Sequence, residues 1–229
     1  MTIALKGISS MATRQVLNEL AAGWQQRTGH SVAIESVGGV DAAKRVAAGE
    51  AFDVVFLASD ALEKLEAAGH VVAGTRVDLV LSTVVVAVPA GSPKPDLSTE
   101  EGMKRAVLAA PSIGYSTGPS GMALLRLFER WGVAQQVQAR TVQAPAGVPV
   151  GSLVAKGEVE LGFQQLSELM HLEGIDVVGL LPEPIRITTI FSGAVCAASQ
   201  QPAAVRHLLA FMASPATADA KRRHGMDPA

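Results

Sequence analysis

Residues 115–121 read Tyr-Ser-Thr-Gly-Pro-Ser-Gly and join a short apolar run, residues 112–115, to an amphipathic run, residues 122–131. The change from a strand-like to a helix-like pattern predicts a loop that leads into a helix N-terminus. Ser120 is predicted to cap that helix, and Gly121 to leave room for a ligand beside the backbone. Hydroxyls and unpaired amides at a helix N-terminus favour an anion, because the helix dipole is positive there. A capped helix start without a ligand is the alternative.

Strand-like and helix-like segments alternate along almost the whole chain, which predicts an α/β protein with a mainly parallel sheet. Predicted strands or extended runs cover residues 2–5, 31–37, 52–58, 77–89, 112–115, 140–143, 160–164 and 186–198. Predicted helices cover residues 12–26, 41–48, 60–68, 100–109, 122–131, 150–155, 165–171, 202–212 and 215–223. Ligands of such sheets bind outside the carboxyl ends of the strands. The candidate loops are therefore residues 7–10, 37–40, 58–59, 115–121, 146–150 and 164–165.

Two pairs of segments have similar sequences, and the two members of each pair are separated by nearly the same number of residues. Residues 46–56 resemble residues 154–163, and residues 9–12 resemble residues 120–123. Such an internal match predicts two lobes of similar build, each with a hydroxyl-rich loop that leads into a helix.

The lobe boundaries follow from the long strand-like stretches. We expect lobe 1 to comprise residues 1–82 and 192–229, and lobe 2 to comprise residues 83–191. The crossings between the lobes are placed near residues 77–90 and 186–198. Two lobes joined in this way predict a ligand cleft that closes by hinge motion.

The composition of the chain limits the classes of binding partner that are expected. The net charge is −2 and no basic block interleaves with aromatic residues, so no nucleic-acid partner is expected. The longest apolar run, residues 84–90, is too short to insert into a membrane. The single cysteine, Cys196, lies in an apolar run and is predicted to be a buried hydrophobe. No cluster of metal-ligand spacing stands out, so neither a metal nor a cofactor is expected.

The start of the chain bears on localisation. Met1 is followed almost at once by a strand-like segment, without a basic or an apolar leader region. A cytoplasmic location is expected if Met1 is native, and a periplasmic one if a leader was removed.

Several motifs follow one another in a characteristic order. A serine pair follows the first strand, a glycine turn follows the second, and residues 53–59 read Asp-Val-Val-Phe-Leu-Ala-Ser. Residues 147–150 (Gly-Val-Pro-Val) then precede residues 157–163 (Gly-Glu-Val-Glu-Leu-Gly-Phe). This order of motifs resembles the molybdate-binding branch of the type II periplasmic solute-binding proteins. The resemblance covers essentially the whole chain. It implies a two-lobed type II periplasmic-binding-protein fold, each lobe a mixed, mainly parallel sheet flanked by helices, with a ligand cleft between the lobes.

The loops and the resemblance together predict the ligand-binding residues. They are Ser9, Ser10, Arg14, Gly38, Gly39, Ala58, Ser59, Ser116, Ser120, Gly121, Val148, Gln164 and Gln165.

The ligand is predicted to be a small anion, either a molybdate-like oxyanion or an organic di- or tricarboxylate. The turn at residues 38–39 lacks the serine of the molybdate binders, and residues 164–165 stand where those proteins have a tyrosine-containing segment. Arg14, with Lys44 or Arg45, is expected to reach the mouth of the cleft, and arginine pairs with a carboxylate in a two-pronged geometry. Solvated surface cations are the alternative interpretation.

The main functional prediction is a monomeric binding protein that captures its anion by hinge closure. If the chain is exported, an ABC-transporter permease is the expected membrane partner.

An enzyme is the alternative, because the aconitate isomerases look like members of the same family. Residues 118–121 and 162–169 resemble that group. The reaction moves a proton on a carbon flanked by carboxylates and needs a base. None of the histidines lies in a candidate loop, so a serine or Lys6 would have to act, and the catalytic residue stays unassigned.

Overall fold

The computed structural model describes residues 2–229. The strands are β1 (Ala4–Ser10), β2 (Ser31–Val37), β3 (Val54–Ala58), β4 (Val77–Pro89), β5 (Ile113–Tyr115), β6 (Thr141–Gln143), β7 (Leu161–Gln165), β8 (Ile175–Leu180), β9 (Thr188–Val195) and β10 (Met226–Pro228). The α-helices are α1 (Arg14–Thr28), α2 (Gly39–Ala47), α3 (Ser59–Ala67), α4 (Glu100–Ala109), α5 (Pro119–Arg130), α6 (Ala134–Val137), α7 (Val150–Ala155), α8 (Leu166–Leu169), α9 (Pro202–Ala213) and α10 (Ala218–Arg223). Short 3-10 helices lie at Met11–Thr13, Gln138–Arg140, Glu183–Ile185 and Pro215–Thr217.

The chain divides into two compact units. Unit 1 consists of Met1–Ser82 and Thr189–Ala229, and unit 2 of Thr83–Thr188. Strand β4 therefore contributes its first half to unit 1 and its second half to unit 2.

The sheet of unit 1 is mixed and covered on both faces. Strand β1 runs parallel to its neighbours β2 and β3, β3 is antiparallel to β9, and β4 pairs antiparallel with β10. The adjacent residues Val54 and Val55 point into different hydrophobic clusters, as strand alternation requires. One cluster includes Trp24 of α1 and Leu209 of α9, and the other includes Leu62 of α3. Because β1, β2 and β3 are parallel, their carboxyl ends meet at one edge.

Unit 2 repeats this plan. Strand β5 is parallel to β6 and β7, and β4 is antiparallel to both β7 and β8. Helices α4, α5 and α6 pack their apolar faces around Phe128. On the other face α7 packs closely, since a Cβ at Gly162 would lie 2.6 Å from a methyl carbon of Val154. The carboxyl ends of β5 and β7 meet at one edge.

The first strand differs from its prediction. The expected loop at residues 7–10 is wrong, because β1 continues to Ser10, paired throughout with β2. Ile8 is fully buried in the sheet. A side chain at Gly7 would place its Cβ 2.9 Å from a methyl carbon of Val54. This glycine therefore permits close strand packing rather than a turn.

The helix after β5 also begins earlier than predicted. Helix α5 starts at Pro119, with Gly118 as its N-cap, so the prediction that Ser120 caps the helix is wrong. Proline suits the first helical position, because its φ is already helical and it has no amide that needs a partner.

Two short elements were not predicted from the sequence. Helix α6 has four residues and β10 only three, one of them Pro228. Neither is long enough to show a periodicity, and proline argues against a strand. Strand β8 was missed as well, although β4 pairs with it.

One of the two internal sequence matches, between residues 46–56 and 154–163, has a structural counterpart. Helices α2 and α7 are each followed by a glycine with positive φ, Gly49 (78°) and Gly157 (72°), and then by a central strand. The second sequence match has no structural counterpart, because residues 9–12 lie at the end of a strand whereas residues 120–123 lie inside α5.

Across residues 2–229, no helix is long and apolar enough to cross a membrane. Cys196 is buried, as predicted, and burial raises the pKa of its thiol to about 12.

Candidate functional site

The predicted residues of unit 1 gather at the carboxyl edge of its parallel strands. Ser10 at the end of β1 pairs in register with Val37 at the end of β2. Gly39 opens α2 directly beside them, since a Cβ there would lie 3.6 Å from the Cβ of Ser10. Gly38, Ala58 and Ser59 lie at the neighbouring strand ends. Unit 1 thus brings these five predicted ligand residues to one edge.

The two adjacent serines differ in what their hydroxyls do. The hydroxyl of Ser9 is fully buried and lies 2.8 Å from the hydroxyl of Ser36 on β2. Ser10 points to the opposite side of the strand, where its hydroxyl accepts the amide of Ala12 at 3.2 Å. That bond leaves the Ser10 hydroxyl hydrogen available to donate. Of the pair, Ser10 is therefore the better anion donor.

Ser59 belongs to a hydrogen-bonded group that the sequence did not reveal. Its hydroxyl contacts the hydroxyl of Ser192 on β9, which donates to Asp78 on β4 at 2.6 Å. The Ser59 hydroxyl also lies 3.3 Å from the carbonyl of Ile190. A carboxylate in this group disfavours an anion at the Ser59 hydroxyl. Because Asp78 and Ser192 come from strands distant in sequence, only the folded sheet reveals them.

The cations predicted near the site separate into two kinds. Arg45 forms ion pairs with Glu35 at 2.6 Å and Glu50 at 2.8 Å, and its guanidinium stacks over Phe52. Its hydrogen bonds to Glu50 and Glu35 raise the pKa of Arg45 and lower that of each carboxyl. The prediction that Arg45 serves the ligand is therefore not supported, because two carboxylates already hold its guanidinium.

Arg14 and Lys44 are different. Both side chains are exposed, and neither forms an ion pair with any of residues 2–229. Arg14 is the first residue of α1, directly after the 3-10 helix that follows β1. Its guanidinium is thus free to meet an anion near the end of that strand.

Lys6 does not fit the role that the sequence left open for it. Strand β1 continues four residues beyond Lys6, so this lysine lies well before the carboxyl end of the strand. Its backbone amide donates to Asp53 at 2.9 Å.

The serine loop of unit 2 closes on itself. The hydroxyls of Ser116 and Ser120 lie 3.0 Å apart, and Ser120 is buried in the first turn of α5. Pro119 has no amide hydrogen, and the amide of Gly121 donates to the carbonyl of Gly118. One of the two hydroxyl hydrogens is used in the bond between Ser116 and Ser120. The Ser120 amide and the other hydroxyl are therefore among the donors that this turn can offer an anion.

Gly121 has a structural role within that loop. An ideal Cβ at Gly121 would lie 1.9 Å from the carbonyl oxygen of Ser116. The expected room for a ligand is occupied by the loop's own backbone, so this part of the prediction is wrong.

The second group in unit 2 lies around the end of β7. Val148 is exposed in the turn before α7. The side-chain oxygen of Gln164 accepts the amide of Val150, the first residue of α7, at 2.6 Å. Gln165 is buried as well, and its side-chain oxygen has no hydrogen-bond partner. Gln164 thus links two predicted ligand loops, and Gln165 keeps an unused buried acceptor.

Glu168 is the residue here that the sequence analysis gave no role. It is largely buried in α8, and the Gln164 side chain donates a hydrogen bond to its carboxyl. Burial raises the pKa of Glu168 to about 7, and the bond from Gln164 only partly offsets that rise. The sequence signal that could have pointed to Glu168 is its position between Leu166 and Leu169, just after a buried strand.

Three of the five histidines make structural contacts. The rings of His30 and His207 pack against Trp24, and His224 bonds to Glu19 at 2.7 Å. Throughout the part of the chain that the structure describes, no three His, Cys, Asp or Glu side chains are placed to hold a metal ion.

Comparisons with known proteins agree with this architecture. The family model described as bacterial extracellular solute-binding protein matches residues 5–227. An aconitate isomerase from a Pseudomonas species is 40% identical over 227 residues, which cover 96% of this chain and 86% of that protein. The molybdate-binding protein ModA of Azotobacter vinelandii is 30% identical over 181 residues, 74% of this chain and 70% of that protein.

A solved structure is similar over almost the full length. The periplasmic molybdate-binding protein of Azotobacter vinelandii superposes with a TM-score of 0.78 at 23% identity, covering 97% of this chain and 98% of that one. This likeness confirms the predicted α/β periplasmic-binding-protein fold class. With a family model that spans nearly every residue, the chain belongs to the bacterial extracellular solute-binding protein family.

Proposed function

We propose that this chain binds a small organic tricarboxylate of the aconitate type and interconverts its cis and trans forms. The observation that carries the proposal is the 40% identity to an aconitate isomerase over 96% of the chain. The structure supports a carboxylate ligand, because Arg14 lies near the end of β1 without an acidic partner among residues 2–229. Arginine matches the planar, two-oxygen geometry of a carboxylate.

The donors at the strand ends suit the same ligand. Ser10 in unit 1, and Ser120 with Ser116 in unit 2, offer neutral hydrogen-bond donors for further carboxylate oxygens. The buried, unpaired side-chain oxygen of Gln165 accepts rather than donates, so it suits a protonated or hydroxyl group better than a carboxylate.

Binding without turnover is the second candidate. The 30% identical relative is named a molybdate-binding protein, and a transport component of that kind would deliver its oxyanion to a membrane permease. We propose a monomer in either case.

Thermal unfolding in the presence of separate anions tests both candidates. The panel contains cis-aconitate, trans-aconitate, citrate, molybdate, tungstate and sulfate, and each aconitate mixture is afterwards examined by NMR. A ligand at about 100 times its Kd stabilises by about 2.7 kcal/mol, which raises the Tm of a protein of this size by roughly 5–10 °C. The proposal expects shifts with the aconitates and conversion of one into the other. Shifts with molybdate and tungstate alone would contradict it and favour the oxyanion transport component.

Alanine at Ser120 is expected to weaken ligand binding by about tenfold, since one hydrogen bond to a charged group contributes about 1.5 kcal/mol. Isothermal titration with the aconitate that binds measures the Kd. Ser98→Ala is the matched control, because the Ser98 hydroxyl donates to Asp96 on an exposed turn of the same unit. Equal Kd values for the two variants would remove Ser120 from the site.

Alanine at Arg14 separates the ligand classes. A tricarboxylate is expected to lose roughly 10- to 100-fold in affinity, because a two-pronged charged contact is lost, whereas molybdate would lose little. Arg222→Ala serves as the control, since Arg222 is an exposed arginine paired with Asp219 on α10. An unchanged Kd for every anion would show that Arg14 does not contact the ligand.

A further inference from the structure

The largely buried carboxyl of Glu168 lies beside the predicted ligand loops of unit 2. The Gln164 side chain joins it to the start of α7, because Gln164 accepts the Val150 amide with its oxygen and donates its own amide to Glu168. Val148, two residues before Val150, is a predicted ligand contact. A single side chain, Gln164, therefore connects the Glu168 carboxyl to the loop that is expected to contact the ligand.

Gln164 also fixes the orientation of the Glu168 carboxyl. A glutamine held by a backbone amide at one end donates from the other end in a fixed direction, so one carboxyl oxygen of Glu168 is occupied. The bond from Gln164 does not occupy the second oxygen. Glu168 is neither fully buried nor fully exposed, so part of the residue is accessible to a ligand.

We infer that Glu168 is the group that removes and returns the proton in the isomerisation, an inference that rests on the proposed function. The ionised carboxyl takes a proton from the methylene carbon of aconitate. The electron pair of that C–H bond forms the new double bond, while the old double bond opens toward the far carbon. Glu168 then returns a proton to that far carbon. One C–H bond breaks and another forms, so the carboxylate is regenerated without an oxidant or a reductant.

The surroundings of Glu168 suit this role. Burial raises its pKa to about 7, which brings a carboxyl close to the ideal for exchanging protons with a carbon at neutral pH. Helix α8 packs against β7 and α7, and neither carries a charged or titratable side chain. The charged or titratable residues that flank these segments along the chain are Lys156, Glu158, Glu160, His171, Glu173 and Asp176. None of them contributes to the shift, whose causes are burial and the bond from Gln164.

Glu168→Gln tests the inference, because glutamine keeps the shape and can still accept the Gln164 amide. We expect the variant to bind cis-aconitate with a Kd within about threefold of the wild type. Its kcat for conversion, followed by NMR, is expected to fall at least 100-fold, the usual contribution of general acid–base catalysis. In D2O the wild type should place deuterium on the methylene carbon of aconitate, whereas the variant should not. Glu173→Gln, an exposed glutamate five residues further on, is the matched control and should retain full activity.

The wild-type pH profile gives a second readout that needs no variant. The proton-accepting form of Glu168 is the ionised one, so kcat/KM should rise tenfold per pH unit below about 7 and level off above it. A wild type that binds aconitate without converting it would overturn the proposed function itself. Conversion that persists in Glu168→Gln, or a flat profile from pH 5 to 9, would overturn the role of Glu168 and leave the function standing. Loss of aconitate binding in that variant would assign Glu168 to binding instead.

Discussion

Replacing Gly121 with alanine is expected to lower the free energy of unfolding by about 3 kcal/mol or more. The new Cβ would lie 1.9 Å from the carbonyl oxygen of Ser116 and 3.1 Å from the ring of Tyr115. A backbone oxygen cannot rotate away as a flexible side chain can, so the loop must open to admit the methyl group. Urea unfolding measures the change.

Gly118→Ala is the matched control for this substitution. Gly118 lies three residues earlier in the same loop, with φ of −83°, and the nearest atom to an added Cβ is 3.7 Å away. Its loss of stability should stay below about 1 kcal/mol, as expected for a change at an N-cap. Similar stabilities for the two variants would contradict the tight closure of the loop. If only Gly121→Ala unfolds early, the glycine serves the fold of the loop and positions Ser116 and Ser120 indirectly.

Glu168→Gln is expected to make the protein more stable than the wild type at pH 8, and less so at lower pH. Burial raises the pKa of Glu168 from its ordinary 4.5 to about 7, so folding favours the protonated form. The stability contributed by that protonated carboxyl is fully present below pH 4.5 and is lost as the pH rises through 7. The advantage of glutamine should therefore grow by about 2–3 kcal/mol between pH 4.5 and pH 8.

Urea unfolding at pH 4.5, 6 and 8 measures this difference. Glu173→Gln is again the control, and its difference from the wild type should stay nearly constant over the same range because the residue is exposed. A constant difference for Glu168→Gln would show that its carboxyl is not desolvated in the folded protein. Such a result would also remove the physical basis for its role in proton transfer.

Much of the secondary structure could be predicted from local patterns. Strand β2 and helices α4 and α7 have the bounds that their periodicity predicts. Gly29 ends α1 in the left-handed conformation, with φ of 70°, as a glycine after an amphipathic run predicts. Such features depend on residues within one or two turns of each other, so the sequence contains all the information they need.

The candidate site was predicted only in part, because its chemistry depends on partners from distant segments. Arg45 is a plausible ligand residue until Glu35 and Glu50 are seen to hold it. Ser59 is a plausible anion donor until Asp78, nineteen residues away, is found beside it. A charge or a hydroxyl in the sequence has no fixed role until the fold decides which groups surround it.

The sequence by itself determined the α/β class, the family and the segments that end at the carboxyl edges of the strands. Those properties follow from hydrophobic periodicity, glycine and proline positions and the order of motifs, all of which are local or collinear. Only the tertiary structure decided that Gly7 lies in a strand, that Gly121 closes a loop and that Glu168 is desolvated. Steric contact and burial are set by atoms that approach from other parts of the chain, and for Glu168 those atoms change its ordinary pKa into one suited to moving a proton.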